Sequence, residues 1–496
     1  MTVINTNTAA INAQATLQRV NNEMGTAMTR LSSGMRINAA KDDAAGMAIA
    51  EKMTAQIMGL NQAVRNATDG QNLIDTTEGA HVETSNMLQR LRELSVQASN
   101  DTNTASDRGK ISAESKALIA EINRVAETTT FNGMKILDGS FSGKQFQIGA
   151  DAGQVLNVNI ESTSARDIGA NQVAGLVQVA TAAASPTATV AQNITISGST
   201  GQETVALAAG VSAKTAAEAI NGVSAKTNVE AKAETNVQLS GLSETGAVSF
   251  SINGKSIGSV TISDTTDLTA LRDAINESAG ETGITAKMGD TDGKVILTST
   301  TGENIEISNF STVKTGDAAA STSTTGSITA SGVDADGTVL SGATETTSIT
   351  ETNHSTIVTG QVTMVSSKGF TATTDAAGIV ATAAGSANSS LSSVANIDLT
   401  TVGGAANAIK VLDAAIGKIS QQRSDLGAIS NRLDSTISNL TNITSNVQAA
   451  KSQITDADFA AESTALARGQ ILSQAATAML AQANASKQGV LSLLRG

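Results

Sequence analysis

The 496-residue sequence contains no cysteine, tryptophan or tyrosine, and only seven phenylalanines, two histidines and one proline. Without cysteine there is no disulfide, no thiolate nucleophile and no Cys-ligated zinc. Aromatics make up 1% of residues, so burial falls to Leu, Ile, Val, Met and Ala, and the aromatic lining usual in large ligand pockets is missing. Pro186 stands alone where about 5% proline is ordinary, which leaves room for long unbroken helices. No apolar run is long enough to span a membrane: residues 469–486 carry no charge but are broken by Gln470, Ser473, Gln474, Thr477, Gln482 and Asn484. Residues 1–18 have neither the basic start nor the apolar run of a secretory signal.

What is present is acidic and divisible. Lys and Arg number 32 against 45 Asp and Glu, for a net charge of −13, a balance that argues against nucleic acid. The length suits two to four domains, and 40% hydrophobic residues suffice for a core. Charge thins towards both ends: Arg19, Arg30 and Arg36 face only Glu23 within residues 1–40, and residues 463–496 hold Arg468, Lys487 and Arg495 with no acid. Sparse, unclustered charge of this kind marks segments meant for burial, not arms for a polyanion.

Apolar spacing defines the outer parts. Leu17, Val20, Met24, Met28, Leu31 and Met35 step by three and four, predicting a helix that loosens at Ser32–Gly34. Asp42 and Asp43 cap a second, unusually long one, from Met47 through Leu60 and Ile74 to Leu94. A third follows through Ile111, Leu118, Ile122 and Val125. Asn132-Gly133 is a turn, and residues 146–148 and 156–160 read as a small hairpin. Near the other end, Leu412, Ile416, Ile419, Leu426, Ile429, Leu433, Ile437, Leu440, Ile443, Val447, Ala450 and Ile454 keep the helical step over about six heptads, the mark of a coiled coil. Beyond the acidic turn Asp456–Asp458 another helix runs through Leu466, Ile471, Met479 and Leu480 to Leu491 and Leu494. Helical ends with apolar stripes bury them most simply against each other.

Between about 165 and 395 the composition shifts to Ser, Thr, Ala, Gly and Val. Ala219-Ile220-Asn221, Thr227–Lys232 and Val237–Leu239 recur as Ala274-Ile275-Asn276, Thr282–Lys287 and Val295–Leu297. Each copy reads as strand, short helix and two strands, so the middle is an α+β insert with two related modules. Residues 311–395 are nearly low-complexity and either β-rich or partly loose.

Catalytic constellations are missing. His81-Val82-Glu83 is no zincin helix, His354 has no partner four residues on, and both histidines read as surface or structural residues. Gly139–Lys144 is one residue short of a phosphate loop. Asp290-Thr-Asp292-Gly293 and Asp334-Ala-Asp336-Gly337 lack the closing Glu of a calcium loop and read as turns. No enzyme, metal site or cofactor is expected. The polar insert offers glycan acceptors, but a solvated face needs no modification to be polar.

Two signatures at opposite ends resemble bacterial flagellin, the filament protein of flagella. Leu31-Ser-Ser-Gly-Met-Arg-Ile-Asn38, Lys41–Gly46, Thr130–Gly133 and Leu137–Gly139 are similar to its N-terminal region. Ile454–Glu462, Ala478–Asn484 and Leu491–Leu494 are similar to its C-terminal one, and residues 251–286 to a module of flagellin inserts. The resemblance implies an α+β chain whose paired N- and C-terminal helices (1–42 with 455–496) form an inner tube. A helical part with the hairpin (43–165 with 395–454) would carry a variable, solvent-facing insert (166–394), with modules at about 190–245 and 246–310 and a Ser/Thr/Ala-rich remainder (311–394).

The same resemblance implies polymerisation into a motility filament, with a hook-filament junction protein or an adhesive insert as alternatives. The expected polymer seam is Leu17, Val20, Met24, Leu31, Leu433, Ile437, Leu440, Ile471, Met479, Leu491 and Leu494. Implied partners are further copies of itself, an export chaperone at the C-terminal helix, filament cap and hook-junction proteins, and a host Toll-like receptor. Nucleic acid and membrane insertion are not among them. The receptor strip carried over is Leu88, Gln89, Arg90, Glu93, Leu94, Gln97 and Glu114, with 90, 94 and 97 on one helix face, a face that packing between subunits explains equally. An extracellular destination by a type III route, without a cleaved signal, fits a chain that no disulfide locks. Its single proline fits long helices and quick refolding alike.

Overall fold

The computed structural model describes residues 6–181, 190–314, 326–334, 338–339, 346–350, 353–376, 378 and 384–493. Pro186, Asp336, Gly337 and Leu494 lie outside them. The chain is α+β, with long helices at both ends of the sequence and a β-rich middle. Packing divides it into two compact units, Met1–Ile74 with Gly143–Val158 and Ala428–Gly496, and Asp75–Ser142 with Asn159–Gly427. Two helices run through both units, so these do not follow the three-part division expected at 42/43, 165/166, 394/395 and 454/455.

In the first unit helix α1 spans Thr8–Ser33. Asn7 caps it by accepting from the Ala10 amide, and Gly34 ends it in the left-handed region at φ 69°, donating to the Arg30 carbonyl. Helix α2, Ala44–Ala98, starts where Asp43 accepts from the Gly46 amide at 2.9 Å. Of the two aspartates expected to cap it, Asp42 instead turns back to the amides of Asn38 and Ala39. The hairpin pairs Lys144–Gln147 with Val155–Val158, and Asn66 of α2 donates to the Gln147 carbonyl at 2.9 Å.

The second unit opens on the upper part of α2 and helix α3, Ala105–Thr128, held by a capping box of Thr104 and Asp107. The turn after it carries Asn132 and Gly133 at φ 49° and 78°, between Thr130–Phe131 and Met134–Lys135. Two modules follow. The first has a hairpin (Gln192–Ser197, Gln202–Leu207), helix α4 (Ala213–Asn221), the short α5 (Ser224–Thr227) and one long strand, Glu230–Ser240. The second has a hairpin (Gly246–Ile252, Lys255–Ile262), helix α6 (Thr269–Glu277), the short α7 (Ala279–Thr282) and two strands, Thr285–Met288 and Lys294–Ser299.

The expected repeat of strand, helix and two strands is thus corrected. A hairpin opens each copy, and the first closes on a single strand because it lacks the Gly289–Gly293 turn that breaks the second. In both copies one asparagine pins the helix to the strand that follows. Asn221 accepts from the Ala231 amide at 2.7 Å and donates to its carbonyl at 2.9 Å; Asn276 does the same with Ala286, both at 2.8 Å.

The long strand Glu230–Ser240 pairs with Lys294–Ser299, Gln361–Ser366 and Ser327–Gly332, tying the modules into one sheet. Where it is described, the Ser/Thr/Ala-rich part is β-rich, from Ser327–Gly332 to Ser390–Ser393. Three of the seven phenylalanines sit in these cores: Phe250 and Phe310 lie with ring centroids 6.4 Å apart among Val, Ile and Leu, and Phe370 packs with Ile194, Ile220 and Met364. Helix α8, Val402–Thr455, leads back through both units, and α9, Phe459–Leu493, closes the described chain. In the second unit α8 joins α2 and α3 around Leu88, Leu91, Ile122, Leu412 and Ile419.

Candidate assembly surface

Helices α1 and α9 lie antiparallel in the first unit. The covered side of α1 is a heptad stripe of Ala10, Ala13, Leu17, Val20, Met24, Ala27 and Leu31, with Val20 at 3% and Ala27 at 4% exposure and Arg30 half-buried on its flank. On α9 they are Glu462, Leu466, Gly469, Ser473, Ala476, Leu480 and Ala483, and here most side chains are small. Such a pair brings backbones close but removes little apolar area per residue from water.

The remaining large side chains are left outside. On α9, Phe459 is 70% exposed, Ile471 67% and Met479 64%; on α1, Ile11 and Met28 are more than half exposed. Two expected seam residues, Ile471 and Met479, therefore do not face α1. They are large and apolar but sit out of phase with the heptad stripe that does. An open groove of about 900 Å³ beside the pair is lined by residues including Ala13, Val20, Leu472, Ala476 and Met479. Leu17, Val20, Met24 and Leu31 do lie in the seam, whereas the side chain of Leu491 is outside the described set.

The other expected seam residues belong to a different contact. Leu440, 7% exposed, packs on α2 with Leu60 and Ala63; Leu433 is fully buried, and Ile437 is half-buried. A Cβ on Gly70 of α2 would stand 3.4 Å from Leu433 and 3.6 Å from the Phe146 ring.

Directional bonds punctuate the α1–α9 pair. Asn7 donates from Nδ2 to the Ala483 carbonyl at 3.1 Å, and Arg30 donates to Glu462 at 3.1 Å, with side chains 29% and 15% exposed. Beyond the helix ends the two connections zip together: the Arg36 amide donates to the Thr455 carbonyl at 2.7 Å, the Ala457 amide to Gly34 at 3.0 Å, and Met35 bridges Asp456. The Arg36 guanidinium also donates to the Ile454 carbonyl at 2.7 Å.

The strip carried over for a receptor is split by α2's own packing in the second unit. Gln89, Arg90, Glu93, Gln97 and Glu114 are exposed, but Leu88 and Leu94 are buried at 0% and 1%. The expectation that 94 shares an outer face with 90 and 97 is corrected: Leu94 turns inward to Ala98, Ile111 and Leu399. Arg90 donates to Glu93 and Glu114, both at 2.9 Å, and these hydrogen bonds hold its guanidinium above the usual pKa.

His81 proves to be a core residue. It is fully buried, neither ring nitrogen has a hydrogen-bond partner, and burial, helped by the Arg423 charge, pulls its pKa from 6.5 to about 4 against the pull of Glu78. His354 is exposed, with Nδ1 3.1 Å from the Phe310 carbonyl. Among the described residues no cluster of His, Asp and Glu could hold a metal, and no helix is long and apolar enough to cross a membrane.

Comparison with known proteins decides what this surface belongs to. Residues 4–142 match the bacterial flagellin N-terminal helical region, and 409–494 the bacterial flagellin C-terminal helical region. B-type flagellin of Pseudomonas aeruginosa is 38% identical over 498 residues, covering 99% of each chain. The chain belongs to the bacterial flagellins. Flagellin C of Vibrio cholerae is 34% identical over 492 residues, again covering 99% of each. The two insert modules, residues 193–243 and 249–301, each match the flagellin hook IN motif. Among solved structures, FliC from Burkholderia pseudomallei is 20% identical with a TM-score of 0.30, covering 73% of this flagellin and 99% of that chain. The protein is a structural subunit of the bacterial flagellar filament, a homopolymer outside the cell.

Proposed function

We propose that filament growth runs through the terminal pair of α1 and α9, whose apolar outer faces are completed by neighbouring copies. The observation that carries this is the exposure of Phe459, Ile471 and Met479 on a helix whose inner stripe is mostly small residues. A thin two-helix pair offsets little of its ordering entropy alone, and added copies supply the missing apolar burial. Folding of the pair and assembly are then one event. The low charge of both ends serves the same purpose, since a charge buried without a partner is costly.

On this reading the domain division drawn from the sequence is functional: 1–42 with 455–496 assemble, 43–165 with 395–454 support them, and 166–394 face solvent. The same apolar face of α9 is what an export chaperone covers before assembly, while cap and hook-junction proteins meet it at the two filament ends. A chain without cysteine suits passage of an unfolded subunit through a type III channel. A Toll-like receptor would reach Gln89, Arg90, Glu93, Gln97 and Glu114; Leu88 and Leu94 shape that face from beneath.

Ile471→Asp and Met479→Asp test the proposal. Both positions are exposed, so monomer stability changes by under about 1 kcal/mol, while filament yield collapses. Filaments of normal length from both variants refute it.

A further inference from the structure

Three Asn-Gly pairs occur in the sequence, at 132–133, 221–222 and 253–254. Each sets an electrophilic side-chain amide carbon next to a backbone nitrogen that no Cβ shields, the two groups that ring closure within a chain requires. The fold, all of it in the second unit, treats the three differently. Asn221 lies at the end of α4, where Ala231 occupies both its Oδ1 and its Nδ2, and the Gly222 nitrogen donates to the Glu218 carbonyl at 2.9 Å. Asn253 turns the hairpin of Gly246–Ile252 and Lys255–Ile262. Its Oδ1 accepts from the Glu306 amide at 2.8 Å, and its own amide donates to the Glu306 carbonyl at 2.9 Å. A third strand, Ile305–Lys314, pairs alongside, so opening that turn means opening a sheet.

Asn132 has no such hold. Among the described residues neither its side chain nor the Gly133 amide has a hydrogen-bond partner. Both residues are exposed, and a Cβ on Gly133 would meet nothing within 4 Å, so a new ring has room. The hairpin they turn has two residues a side, Thr130–Phe131 with Met134–Lys135, and of these four only Phe131 is even half-buried. The next bond outward, from the Ile136 amide to the Thr129 carbonyl, is long at 3.4 Å. So short and exposed a pair is marginal by itself, which puts its opening at the low end of local unfolding free energies.

We propose that Asn132 is a self-modification site of this flagellin, where the chain deamidates while the fold protects the other two Asn-Gly pairs. The Gly133 nitrogen attacks Asn132 Cγ and gives its proton to water; the Cγ–Nδ2 bond breaks, and Nδ2 takes up a proton and leaves as ammonia. One water then opens the cyclic imide at either carbonyl, giving aspartate or isoaspartate. Attack waits on the turn, because Asn132 and Gly133 are held closed at φ 49° and 78° until the hairpin opens. Either product adds a negative charge beside Lys135. Isoaspartate also adds a backbone carbon to a two-residue turn, so Phe131 and Met134 no longer pair in register, next in the chain to the fully buried Ile136 and Leu137.

The test holds full-length protein at mildly alkaline pH, folded or in urea, and maps each Asn-Gly pair after digestion by peptide mass, with isoaspartate separated from aspartate by chromatography. In the folded protein Asn132 should convert about tenfold faster than Asn221 and Asn253. In urea the three should convert at comparable rates, since only the fold distinguishes them. Gly133→Ala, whose Cβ hinders the attacking nitrogen, should slow conversion at 132 in urea and leave the other two sites unchanged. Conversion of Asn132 in the folded protein no faster than that of Asn221 or Asn253 overturns the proposal, and so does a lead that persists undiminished in urea.

Discussion

Leu433→Ala probes the contact that anchors α8 on α2 in the first unit. The side chain is fully buried, and one of its methyls sits 3.4 Å from where a Cβ on Gly70 would project, beside the Phe146 ring. Truncation removes three carbon atoms, a transfer loss of about 2.4 kcal/mol at ~0.8 per carbon. The cavity left between Gly70 and Phe146 adds to this, because a glycine has no side chain with which to fill it, for a total near 3 kcal/mol. Gly70→Ala points the other way. The new methyl meets its neighbours at ordinary contact distance, 3.4 and 3.6 Å, and replacing a mid-helix glycine contributes about 0.5–1 kcal/mol. Urea unfolding of the monomer, followed by helical circular dichroism, measures both. A loss below about 1 kcal/mol for Leu433→Ala, or a loss rather than a gain for Gly70→Ala, would refute the packing described for this contact.

Other outcomes follow from the same geometry. Deleting residues 1–40 or 463–496 abolishes polymerisation while the insert keeps its own melting transition; filament growth after either deletion contradicts assembly through the pair. His81 makes stability depend on pH. Its folded pKa of about 4 lies below the unfolded 6.5, so between these values the unfolded chain binds the extra proton. Stability is therefore full above about 6.5 and falls as pH drops towards 4, by about 3 kcal/mol in all. His81→Leu should flatten that part of the melting profile, and an unchanged difference in melting temperature between pH 7 and pH 4.5 would count against the buried imidazole.

Much of this was legible in the sequence because local rules and global packing agree. Gly34, Asp43, Thr104 and Asn132-Gly133 end or begin elements where their own backbone chemistry requires it. The contact between α1 and α9 was read less well. Ile471 and Met479 stood out by size, but heptad phase decides facing, and the phase runs through Gly469, Ser473 and Ala476, which hydrophobicity alone does not mark. Leu88 and Leu94 belong by spacing to the buried face that Leu91 shares, and only the likeness to a known strip drew them outward. His81 sits at the same phase, seven residues from Ile74 and from Leu88, so its burial was available from periodicity. The asparagine pins were visible as a repeat of Ile-Asn, though nothing local announced a bond to the residue ten positions on.

The central claim is that one copy leaves its two ends incompletely covered. Hydrogen exchange at backbone amides of residues 8–33 and 459–486, compared between a dilute monomer and the filament, tests it most directly. The account predicts fast exchange in the monomer and strong protection after assembly. Equal, strong protection in both states would contradict it.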